Sequence, residues 1–179
     1  MNKTLKLVIS VVICQLAGIV GSIFTTPEIS GWYKTLNKPF FQPPNWLFGP
    51  VWTLLFLLMG ISLYLVWGNN WQIKFEFGNL KGKAWNKYSQ KFWIGNWQKA
   101  NLILVFVVQL GLNVLWSYLF FKMHNLGLAF FGLLALWFAI LYTILNFYRV
   151  SKYSAYLLIP YILWVSFAGI LNLAVWLIN

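Results

Sequence analysis

Apolar side chains dominate five runs, at positions 7–24, 46–67, 100–121, 126–147 and 153–178, with charged residues confined between them and to the N-terminus. The runs are 18, 22, 22, 22 and 26 residues long and contain no Asp, Glu, Lys, Arg or His. As helices they reach roughly 27 to 39 Å, which matches a hydrocarbon layer about 30 Å thick. In lipid an unpaired backbone group costs several kcal/mol, so such a run must close its own hydrogen bonds as a helix. The pattern predicts an all-α integral membrane protein, one domain over residues 1–179 built as a bundle of five transmembrane helices. A connecting lid would occupy 25–45, and a long loop 68–99.

Composition sharpens this picture. Of 179 residues, 61% are hydrophobic and only 8% charged, against about 25% charged in ordinary soluble domains. Disorder requires low hydrophobicity and is excluded by the same figure. The single cysteine, Cys14, permits neither an internal disulfide nor a cysteine metal cluster. With Glu28 and Glu76 the only acidic residues, carboxylate-pair catalysis and carboxylate-bound metals are nearly closed off, and no metal site is expected. The first run could serve as a signal peptide, since MNKTLK is basic and LVISVVICQLAGIVG apolar, but SIFTTPEIS lacks an A-x-A cleavage pattern. It is taken as a span.

The formal charge of +11 has a topological reading. Lys3, Lys6, Lys74, Lys81, Lys83, Lys87, Lys91, Lys99, Arg149 and Lys152 fall on one side of a five-span chain, and Lys34, Lys38 and Lys122 on the other. Ten against three predicts a cytoplasmic N-terminus in a multi-pass protein of the plasma membrane. A nucleic-acid partner is not expected.

Polar and small residues inside the runs indicate what the bundle encloses, because they tend to turn inward. Counting 1.5 Å per residue, Gln15, Trp52, Gln109, Asn113, Trp116, Trp164 and Asn172 lie roughly 8 to 21 Å below the outer ends of their helices. Gln109, Asn113, Trp116, Ser117 and Phe120 recur at helical spacing on the third span, as do Trp164, Ala168, Leu171 and Asn172 on the fifth. Above them, Pro39, Pro43 and Pro44 stiffen a connection that is expected to be non-helical up to Pro44. Trp32, Tyr33, Phe40, Phe41 and Trp46 give it an apolar underside. The expectation is a lid over an aromatic pocket. Most tryptophans fall in loops or at helix ends, where interfacial belts place them without any ligand, and inward amides also join helices at about 0.6 kcal/mol per pair.

The stretch WYKTLNKPFFQPPNWLFGPVWTLLFLLMG, with QLGLNVLWSYLFF and AYLLIPYILWVSFAGILNLAVWLIN, resembles the signature of the TspO/MBR family, the tryptophan-rich sensory and mitochondrial translocator proteins. The resemblance covers all five runs. It implies a five-helix bundle, commonly dimeric, whose pocket takes tetrapyrroles such as protoporphyrin IX or haem as ligand, with no obligatory cofactor. Matched residue by residue, it places the pocket on Trp32, Tyr33, Pro43, Trp46, Trp52, Asn113, Trp116, Trp164 and Ala168, nearly the set reached by depth, which adds Gln109. It further implies that Trp52 and Trp164 could serve redox roles in light-dependent porphyrin breakdown.

Two departures limit that transfer. Family members ordinarily join helices 2 and 3 by a short connection, whereas residues 68–99 carry six lysines interleaved with Trp71, Trp85, Trp93 and Trp97. That suits either a plain positive-inside loop or a segment lying on anionic lipid. The fifth run ends LNLAVWLIN, without the Tyr and basic residue of the animal sterol motif, and Leu145, Tyr148 and Lys152 match its loose pattern only weakly. Sterol binding is therefore unsupported. His124 lies in a short loop with no second ligand nearby in sequence, which argues against axial haem ligation. The functional expectation is a tetrapyrrole-binding receptor or carrier. The alternatives are a photo-oxidative enzyme and an uncoupled transporter, since no ionisable group within the runs could couple transport.

Overall fold

A computed structural model describes residues 2–67, 72–73, 92–93 and 96–179. Asn2 opens α1 (Lys3–Ser30), its side chain accepting a hydrogen bond from the Thr4 amide at 3.4 Å. There follow α2 (Trp32–Thr35), α3 (Asn45–Trp67), α4 (Asn96–Ser117) continued by a π-helical turn at Tyr118–Lys122, α5 (Leu126–Val150), α6 (Lys152–Leu157) and α7 (Ile159–Ile178). Between α3 and α4, Gln72–Ile73 pairs antiparallel with Phe92–Trp93. Five of these segments are long and apolar enough to cross a membrane: Lys3–Ser30, Asn45–Trp67, Asn101–Lys122, Leu126–Val150 and Lys152–Ile178. The bundle foreseen from the five apolar runs is thus present. Most of the long basic, aromatic loop expected at 68–99 lies outside the described residues, and α4 already begins within that range, at Asn96.

Two boundaries depart from the apolar pattern. The first helix does not stop near residue 24 but runs six residues further, through Pro27, to Ser30, and α2 adds another turn. The connection is therefore helical over much of its length, and only about 36–44 is irregular. Near a helix end Pro27 deprives just one carbonyl of its donor, so the helix tolerates it. Just before it, Thr25 Oγ1 donates to the Gly21 carbonyl one turn back at 3.1 Å. The fifth span is likewise divided, because Pro160 cannot donate a helical hydrogen bond and the chain breaks at Leu158 before restarting.

Packing begins where side chains are smallest. A Cβ on Gly60 of α3 would come within 2.6 Å of the Val11 Cα, so the two helices meet backbone to backbone. Cβ atoms on Gly18 and Gly21 would stand 2.6 Å from the Phe56 ring and 3.2 Å from Ser117 Oγ. The small residues of the first span therefore seat α1 against α3 and α4 of its own chain. Ser62 Oγ donates to the Ser154 carbonyl at 2.8 Å, and Ser154 Oγ returns a bond to the Ser62 carbonyl at 3.2 Å, joining α3 to α6. Trp137 Nε1 donates to Ser166 Oγ at 2.8 Å between α5 and α7. Phe106 stacks on Phe147 at 5.8 Å between α4 and α5.

Because the atom facing Gly60 is backbone and cannot rotate away, Gly60→Ala should lower stability by about 1 to 3 kcal/mol. Gly111, whose added Cβ meets nothing within 4 Å, should instead gain up to about 1 kcal/mol on replacement by alanine, from helix propensity alone. Thermal unfolding of both variants in detergent measures the contrast.

Candidate binding cavity

A cavity of about 480 Å³ lies between α1, α3, α4 and α7 at the end of the bundle where α1 meets α2. That is within the 300 to 1,000 Å³ range of small-molecule sites. Its floor is Gln15, Gly18, Phe56 and Trp52; α4 and its π turn supply Asn113, Trp116, Ser117, Phe120 and Phe121; α7 supplies Ala168, Leu171, Asn172 and Val175. Ile29, Tyr33 and Trp46 border it at the lid end. Phe120 and Phe121 are neighbours in sequence, yet both are buried and both line the cavity. The wider π turn allows this, and such turns recur at functional sites.

The polar groups on these walls are largely committed to the scaffold. Asn113 Nδ2 donates to the Tyr161 hydroxyl at 3.1 Å, tying α4 to α7. Trp116 Nε1 donates to Asn172 Oδ1 at 3.1 Å, while Asn172 Nδ2 donates to the Leu126 carbonyl at 3.0 Å. One asparagine therefore holds the Trp116 indole and the start of α5 together. Gln15 Nε2 crosses from α1 to the Thr53 carbonyl of α3 at 3.1 Å. Between these two helices the cavity is open to the side: Ile19, Ser22, Thr26, Trp46, Gly49 and Thr53 line it while remaining exposed.

The lid is fixed at several points. Tyr33 is buried against Phe120 and Phe121, with ring centroids 6.0 and 5.6 Å away, and burial pushes its phenol above the ordinary value, so the group stays neutral. Trp32 stacks on His124 at 4.1 Å, and His124 Nε2 lies 3.1 Å from Glu28 Oε2. The histidine, in a left-handed backbone conformation at φ 52°, is thus occupied in joining the π turn to the lid. Asn37 is clamped through both backbone groups: its N–H donates to Asn179 Oδ1 at 2.9 Å, and its carbonyl accepts from Asn179 Nδ2 at 3.0 Å.

Of the ten residues expected at the site, Tyr33, Trp46, Trp52, Asn113, Trp116 and Ala168 line the cavity, and four do not. Trp32 faces Phe120 and His124. Pro43 stays in the irregular stretch, none of which reaches the cavity; Phe40 is fully exposed, and Phe41 leans on Phe167 of α7 at 6.5 Å. Gln109 sits one helical turn from Asn113, fully buried with neither amide atom paired. Trp164 lies behind Phe48, ring centroids 5.8 Å apart, with its buried indole N–H unpaired. Depth alone could not separate a wall residue from one a layer behind it. Sequence reasoning missed the upper part of the α1 wall, Thr25, Thr26 and Ile29, because these lie beyond the apolar run that ends at residue 24. The stripe of small and hydroxyl residues at 18, 21, 22, 25 and 26 was the available signal.

Comparison with known proteins agrees with this architecture. The family model described as TspO/MBR matches residues 10–177. The chain is 41% identical over 175 residues to the tryptophan-rich protein TspO of Archaeoglobus fulgidus, covering 98% of this chain and 97% of the relative. It is 38% identical over 180 residues to the protein of the same name from Chlorobaculum tepidum, covering 100% and 99%. To the human translocator protein it is 35% identical over 162 residues, covering 90% and 83%.

Asn172→Ala should strand both the Trp116 indole N–H and the Leu126 carbonyl, lowering stability by about 1 to 3 kcal/mol. Thermal unfolding, read beside a change in indole emission that is absent in an Asn172→Ala, Trp116→Phe double variant, tests this.

Proposed function

The chain belongs to the TspO/MBR family, an integral multi-pass membrane protein, and from that premise we propose that its cavity receives a tetrapyrrole such as protoporphyrin IX or haem, in sensing, carriage or homeostasis of that ligand. The observation that carries this reading is the wall itself. Trp52, Trp116, Tyr33 and Phe120 border one space of about 480 Å³, and aromatic faces are suited to stacking on a flat conjugated ring. The lateral gap between α1 and α3 supports exchange with a ligand dissolved in the bilayer. The human relative's name, translocator protein, accords with movement of a solute. Ten of the thirteen basic residues fall on the side of the N-terminus, which supports a cytoplasmic N-terminus.

A photochemical activity has support at one position. Trp52 lines the cavity, so its indole stands where an excited porphyrin could take an electron from it, whereas Trp164 is screened by Phe48.

Protoporphyrin IX added to the protein in nanodiscs should quench tryptophan emission saturably. Trp52→Ala or Trp116→Ala should weaken the half-saturation about tenfold, as expected for losing about 1.4 kcal/mol of ring stacking. Absence of saturable quenching by the wild-type protein sinks the reading. Under illumination, Trp52→Phe should slow porphyrin bleaching more than Trp164→Phe.

A further inference from the structure

The cavity holds no charge. Among the described residues its walls carry amides, hydroxyls and a phenol but no Asp, Glu, Lys, Arg or His. Bringing a carboxylate into such a space without a cation costs several kcal/mol. An anionic ligand must therefore leave its acid groups at a mouth where water or a cation can meet them.

At the lid end the described basic side chains are Lys34, Lys38, Lys122 and His124. His124 Nε2 already has a partner in Glu28 Oε2, 3.1 Å away. Lys34 and Lys122 are exposed. Lys38 differs from both: it is half-buried, and its Nζ sits 4.9 Å from the centroid of the Tyr33 ring, which borders the cavity. Its backbone is held on both sides. Asn37 before it is clamped to Asn179 at 2.9 and 3.0 Å, and Pro39 after it has a fixed φ. A ring face attracts an ammonium but carries no formal counter-charge, so Lys38 is positioned without a carboxylate partner among the described residues.

We infer that the cavity takes an amphiphile with a flat apolar body inward and a carboxylate at the lid end, and that Lys38, resting on Tyr33, reads that carboxylate. The inference rests on the tetrapyrrole reading and deepens it. Lys38 is a specificity residue: it discriminates the free acid from the same macrocycle without charge.

Protoporphyrin IX and its dimethyl ester, which keeps the ring and removes both charges, separate the possibilities. Each is titrated into wild type, Lys38→Gln, Lys38→Arg and Lys34→Gln in nanodiscs, with empty nanodiscs subtracted. Lys38→Gln should weaken the acid about two- to fivefold, the upper range of a partly exposed ion pair, and leave the ester unchanged. Lys38→Arg should retain acid binding, Lys34→Gln should alter neither ligand, and added salt should weaken the acid alone. Equal loss of acid and ester in Lys38→Gln would assign the residue to lid packing and overturn the inference, as would no loss of either. Failure of wild type to bind either compound would overturn the tetrapyrrole reading itself.

Discussion

The contact of α1 with α3 and α4 through glycine is the constraint on which the remaining structure depends. Lipid is as apolar as leucine, so helices in it gain little from hiding hydrophobic surface and must gain from close packing instead. At Gly60 the two backbones touch through Val11, and at Gly18 the Phe56 ring fills the place a side chain would take. Below that level α1 is seated. Above it the helix continues through hydroxyl residues to Ser30, and the space between it and its neighbours widens into the cavity. The floor of the site is thus the upper edge of a tight helix contact.

Polar residues near that floor act mostly on one another. Asn113 is bonded to Tyr161, and Asn172 to both Trp116 and the Leu126 carbonyl. Each bond removes a donor that a dry wall would otherwise leave unpaired, and each also fixes an aromatic or helical element at the cavity edge. What remains facing the space is uncharged, aromatic rings beside small, hydroxyl and aliphatic side chains. Selectivity between ligands of similar shape must then arise at the rim, where the lid brings Tyr33 and Lys38 together and where Glu28, His124 and Trp32 join α1, α2 and the π turn.

Five charge-free runs of 18 residues or more determined by themselves that the chain forms membrane-spanning helices, because lipid offers the backbone no other partner. The inward turn of Trp52, Asn113, Trp116 and Ala168 was also legible, since helical spacing carries it. Tertiary structure alone decided where α1 ends, because the apolar run stops at Phe24 whereas the helix continues to Ser30 and leads into α2, whose Trp32 and Tyr33 dock on Phe120. It also decided that Gln109 and Trp164 sit behind the wall and that Lys38 lies on Tyr33. Periodicity records the direction a side chain takes from its own helix. It does not record which ring from another helix stands in front of it, and that depends on contacts between residues far apart in the chain.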